Sequence, residues 1–110
     1  MAIYQGTYFT QLFVVKTKDG PVDISGWEFE AQFRKRVDDA DSLLDLTTAG
    51  GAFSLTDAVN GELQLAITED LTATLPLGRV VFDVLRTDAS PGPRFVFRAA
   101  ALVKQSATRT

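Results

Sequence analysis

The 110-residue sequence contains no cysteine and no histidine. Without thiols there is no disulfide framework and no thiolate metal site. Without imidazole there is no Ser-His-Asp triad, no Cys-His dyad, no histidine zinc site and no pH switch near neutrality. Basic residues are also outnumbered, 11 against 14 acids, for a formal net charge of −3. A long-range attraction to phosphate backbones is therefore not expected, and nucleic acid is not an expected partner. No apolar run approaches the roughly twenty residues that span a bilayer. The opening Met1-Ala2-Ile3-Tyr4-Gln5-Gly6 lacks the basic and then apolar pattern of a secretory signal. No membrane partner is expected, and the chain is expected to stay in aqueous compartments.

What remains is an ordinary globular composition, 45% hydrophobic and 23% charged, at a length that supports one domain (1–110) with two packed layers. Asp19-Gly20-Pro21 is turn chemistry, a position tolerant of positive φ followed by a ring-locked one. The run 27–34 then alternates: Trp27, Phe29, Ala31 and Phe33 point one way, and Glu28, Glu30, Gln32 and Arg34 the other. One face of that strand is a core and the other is wet.

Residues 8–16 read as another strand, apolar on both sides, with Phe9, Phe13 and Val15 on one and Tyr8, Leu12 and Val14 on the other. Residues 22–24 add a short extended piece and 43–47 a short strand. Asn60-Gly61 closes the clearest hairpin, with Phe53 and Leu55 going out and Leu63, Leu65 and Ile67 returning. The one helical candidate is 68–75, with Thr68 as N-cap, Glu69 and Asp70 at the positive end of the dipole, and Leu71 and Leu75 on one face. Strands follow at 79–84 and 94–103, the latter with Phe95, Phe97, Ala99, Ala101 and Val103 on one face, separated by a turn at 89–93. About seven strands with turns spaced every ~8–12 residues predict an all-β antiparallel sandwich of immunoglobulin-like proportions, with one short helical connection. Residues 1–5 read as an N-terminal arm and 104–110 as a polar tail.

The residues that could carry chemistry fail one by one. An EF-hand loop started at Asp39 would continue with Asp41 but places Leu44 where glycine is needed and Gly50 where glutamate is needed, so Asp38, Asp39, Asp41 and Asp45 read as a solvated loop. Glu28 and Glu30, about 7 Å apart on a strand, fall within inverting-glycosidase spacing but are explained by alternation alone. Arg34-Lys35-Arg36 lacks aromatic interleaving, and Gly50-Gly51 lacks the lysine of a phosphate loop. Trp27 reads as the buried aromatic of the core. No catalytic residue, cofactor or metal is expected.

Gly6-Thr7-Tyr8-Phe9, then the segment from Asp19 through Trp27 with Gln32-Phe33-Arg34, then Gly61 opening the strand to Ile67, and Leu75-Pro76-Leu77-Gly78-Arg79-Val80-Val81-Phe82-Asp83-Val84 occur in an order that resembles a family of small tailed-phage structural domains. The chain looks like the immunoglobulin-like N-terminal domain of phage upper baseplate proteins and its stand-alone relatives, from about residue 3 to 103. The resemblance implies a non-enzymatic virion protein, an adaptor of the tail, baseplate or fibre attachment region, with other virion proteins as partners, homo-oligomerisation in the particle and the virion as its location. A capsid decoration protein and a carbohydrate-binding module, the latter using Tyr4 and Tyr8, are the alternative readings. The expected docking surface is the arm and first strand: Ile3, Tyr4, Tyr8, Leu12 and Val14.

Overall fold

The computed structural model describes residues 1–88 and 95–105. The expected turn at 89–93, Arg94 and the tail 106–110 lie outside the described residues. The protein is mostly β, 54% strand against 7% helical, so the all-β reading holds at that level.

Among the described residues ten strands run in chain order: β1 (Ala2–Tyr4), β2 (Phe9–Val14), β3 (Lys16–Thr17), β4 (Gly20–Pro21), β5 (Phe29–Arg34), β6 (Leu44–Thr47), β7 (Phe53–Asp57), β8 (Glu62–Ile67), β9 (Gly78–Arg86) and β10 (Phe95–Lys104). A 3-10 turn (Ala58–Asn60) links β7 to β8, and helix α1 (Glu69–Thr72) links β8 to β9. One sheet has five strands in the order β1-β10-β9-β5-β6 and curls into a half-barrel. A second has three, β2-β8-β7, and β3 with β4 forms a small ribbon.

The strand count exceeds the expected seven because the short segments β1, β3 and β4 carry too few residues to show a period. The pairing is also not wholly antiparallel, since β1 lies parallel to β10, with Ile3 beside Val103. The chain then turns at Gly6, where φ is +75°, and β2 joins the other sheet. The expected arm, residues 1–5, therefore carries a strand of the sheet, Ala2–Tyr4. Lys104, expected in the tail, is the last residue of β10 and faces Tyr4.

The inward faces of the two larger sheets meet in one apolar core. Phe29, Ala31, Phe33, Val80, Phe82 and Val84 come from the five-stranded sheet, and Phe53, Leu63, Leu65 and Ile67 from the other. Rings join the layers: Phe29 lies 5.7 Å from Phe53 and Phe13 lies 6.2 Å from Phe82, centroid to centroid. Two strands break register, β7 between Ser54 and Asp57 and β10 near its start. Phe95 faces Leu85 while Phe97 faces Val84, so Val96 is an extra residue on β10. That bulge turns Phe95 out, 54% exposed, and leaves Phe97 to pack 4.8 Å from Phe13. Phe95 is thus a correction to the expected inward row.

Candidate docking surface

β2 is built from β-branched and aromatic residues interleaved with polar ones, and its inward residues Phe9 and Phe13 pack against the core. Its pairing with β8 is continuous from Phe9 opposite Ile67 to Val14 opposite Glu62. With the inward face fixed, alternation forces the others out: Tyr8 is 57% exposed, and Leu12 and Val14 are 50% each. The outward residues beside it on β8 are Ala66 and Gln64, both uncharged, and Glu62 opposite Val14, whose carboxylate accepts from the Thr56 hydroxyl of β7 at 2.8 Å. The result is a row of large apolar side chains on the outer face of the three-stranded sheet.

The five residues expected to dock therefore separate. Tyr8, Leu12 and Val14 share that row. Tyr4 is exposed but sits on β1, in the other sheet. Ile3 is fully buried, because the inward position of β1 closes the core beside Val103, and it is not available to a partner. The residues around it are tied down as well. Leu102 donates its N–H to the Met1 carbonyl at 3.0 Å, Gln5 donates its N–H to the Lys104 carbonyl at 3.0 Å, and its side-chain amide donates to the Leu75 carbonyl at 2.7 Å.

Three of the residues considered for chemistry, Glu30, Asp39 and Trp27, have structural partners. Asp39 closes the 36–39 turn, its carboxylate accepting the Arg36 N–H at 3.1 Å, while the Asp39 carbonyl accepts from Arg34 Nε at 3.0 Å. Glu30 accepts from the Gln32 amide, and Gln32 from Arg34, forming a ladder along the wet face of β5. Among the described residues no three Asp or Glu side chains gather as a metal site. Trp27 is half-buried rather than enclosed, with the Arg86 guanidinium 4.0 Å from its ring centroid and Arg86 itself paired to Asp88. The chain matches no protein-family model and no curated protein sequence.

Two features were not anticipated from the sequence. On the outer face of the five-stranded sheet, Lys35, Arg36, Arg79 and Arg98 rim a shallow basin of about 440 Å³ floored by Val81 and Ala100. Arg98 is held there by Asp83 at 2.6 Å, a contact that raises its pKa above the ordinary arginine value. Arg79 comes from β9, Arg98 from β10, and Lys35 and Arg36 from the segment just after β5, so only the sheet order brings them together. The second feature is exposed Phe95, which stands near Arg98 because of the bulge. Neither location unites an acid, a base and a nucleophile, so neither supplies the parts of a reaction.

Proposed function

We propose that the protein is a non-enzymatic structural module of a tailed-phage particle, an immunoglobulin-like β-sandwich that docks through the outer face of β2. The observation that carries this reading is the row Tyr8, Leu12 and Val14, each at least half exposed, with Tyr8 just before β2 and Leu12 and Val14 on it, opposite Phe9 and Phe13, which pack on the core. A domain that worked alone in water would gain nothing from two apolar faces on one strand. The resemblance of the turn and strand motifs supports the phage assignment. The strand order supports the immunoglobulin-like one: apart from β1, four strands β10-β9-β5-β6 face three strands β2-β8-β7, in the G-F-C-C′ and B-E-D arrangement of such domains.

Tyr4 lies on β1 of the five-stranded sheet and Tyr8 just before β2, which belongs to the other sheet, and this separation weighs against the carbohydrate-binding alternative. The test is particle incorporation. Mass spectrometry of purified virions should find the chain, and Leu12→Lys should reduce its copy number while leaving the unfolding midpoint of the free protein nearly unchanged. Absence of the wild-type chain from purified particles overturns the virion reading. In particle images, a density at capsid lattice points instead of the tail would move the protein to the decoration class.

A further inference from the structure

Among the described residues, an unpaired edge is left on β1, β2, β6 and β7, on the part of β10 before Leu102, which carries Arg98 and the bulge, and on the short ribbon. They are not equivalent. β1 has three residues, β6 carries Asp45, and β7 ends in Asp57 after a break in register. β2 has six residues without a charge, a proline or a register shift. Proteins ordinarily blunt a long edge with lysine, proline or a bulge, because its free N–H and C=O groups recruit another strand. This edge has none of these devices.

Hydrogen-bond parity says which groups are free. Val15 donates its N–H to the Gly61 carbonyl at 2.9 Å, so the odd residues of β2 bond toward β8. In an antiparallel ladder the alternate residues then present both backbone groups to the other side. These are Thr10, Leu12 and Val14. The side chains of Leu12 and Val14 are also two members of the exposed apolar row.

We propose that the occupant of this edge is a second copy of the same chain, with β2 pairing antiparallel to the partner's β2 about a two-fold axis at Leu12. In that register Leu12 faces the partner's Leu12, and Thr10 and Val14 face the partner's Val14 and Thr10, giving about six backbone hydrogen bonds. Lys16, the first charge after β2, falls opposite the partner's Tyr8, where an ammonium can lie over an exposed ring. The two lysines stand at opposite ends, so no like charges meet. Shifting the axis to Thr10 or to Val14 shortens the overlap and leaves only one of the three facing pairs within β2. Pairing displaces one exposed contact, the Gln11 side-chain amide on the Leu12 carbonyl at 3.3 Å. It joins the two three-stranded sheets into one continuous sheet. The proposal deepens the docking reading by naming the partner of β2, and it rests on that reading only in taking β2 as the docking strand.

The absence of native cysteine makes the register directly testable. Sedimentation equilibrium of the wild-type protein up to about 1 mM, the weak end of specific association, should show mass rising toward twice that of the chain. Leu12→Lys sets two cations against each other at the axis and should weaken the dimer by about tenfold or more. A bis-thiosulfonate with a two-carbon spacer should cross-link Leu12→Cys to itself, and Thr10→Cys to Val14→Cys in preference to either with itself. Ser54→Cys, exposed on β7, serves as the control. A wild-type protein that stays monomeric, a dimer indifferent to Leu12→Lys, or equal cross-linking at Ser54 overturns the pairing. If that protein still enters particles and Leu12→Lys still prevents it, the docking reading survives and only the second copy is wrong as partner.

Discussion

Gly61 sits where three segments converge. Its φ is +75°, in the left-handed region, and a Cβ placed there would lie 2.4 Å from the Val15 carbonyl oxygen and 2.7 Å from that of Val22. The end of β2, the segment leading from the β3–β4 ribbon and the turn into β8 are all backbone at this point, so none can yield as a flexible side chain would. Gly61→Ala should therefore cost about 2–4 kcal/mol, more than left-handed strain alone. Urea unfolding checks it, and a loss below about 0.5 kcal/mol, the range of an inert surface change, would mean that the crossing is looser than described. Asp23 shows a subtler residue-level effect. Its carboxylate accepts the Ser25 N–H at 2.9 Å and the Ser25 hydroxyl at 2.6 Å, and these bonds, led by the hydroxyl, lower its pKa below the usual aspartate value. A carboxyl depressed by folding contributes stability above its unfolded pKa of about 3.9, and loses it as pH falls through the folded value. The midpoint difference between wild type and Asp23→Ala should thus be open near neutral pH and narrow in acid. A difference that widens on acidification would reverse the assigned sign.

Helix α1 shows how an element too short to be stable alone is held in place. Four residues cannot sustain a helix in water. Leu75, fully packed, and Leu71, half-buried, were the anchors expected from the sequence, but the deepest side chain within the helix is Thr72. Its hydroxyl donates to the Thr7 carbonyl at 2.8 Å and lies 3.1 Å from that of Glu69, tying the helix to the segment between β1 and β2. Thr72→Val keeps the shape and removes the donor, and should cost about 1–3 kcal/mol. Thr74→Val removes a hydroxyl that bonds locally to Leu71 on the surface and should stay within about 0.5 kcal/mol. Equal effects would show that the Thr7 contact holds nothing. The comparison also marks what a sequence discloses. β5 and β8 were legible because strict alternation over six residues fixes both a strand and its buried face. The exposed row of β2 followed from the same rule. Thr72 was not legible, since a polar residue is buried only when a distant carbonyl waits for it. Nor was the turning out of Phe95, because a bulge changes parity without leaving a trace in residue type.

At the scale of the molecule the two sheets close at one end through the N-terminal strand. Three residues gave no periodicity, so Ile3 read as a free apolar residue; sheet order converts it into core. Removing residues 1–5 would open the cavity left by Ile3, worth about 2–5 kcal/mol by analogy with buried large-to-small changes. It would also remove the bonds to Leu102, Lys104 and Leu75, at about 1 kcal/mol each. Against a total stability of about 5–15 kcal/mol for a domain of this kind, that loss leaves a protein near its unfolding threshold. The truncated chain should therefore show a midpoint lowered by tens of degrees, or no cooperative transition in urea. Tyr4→Ala, which trims an exposed ring from the same strand, should change little. The pair separates two roles for the N-terminus. If truncation leaves the midpoint within a few degrees of wild type, β1 is a detachable arm after all, and the buried position of Ile3 contributes nothing to holding the sheets together.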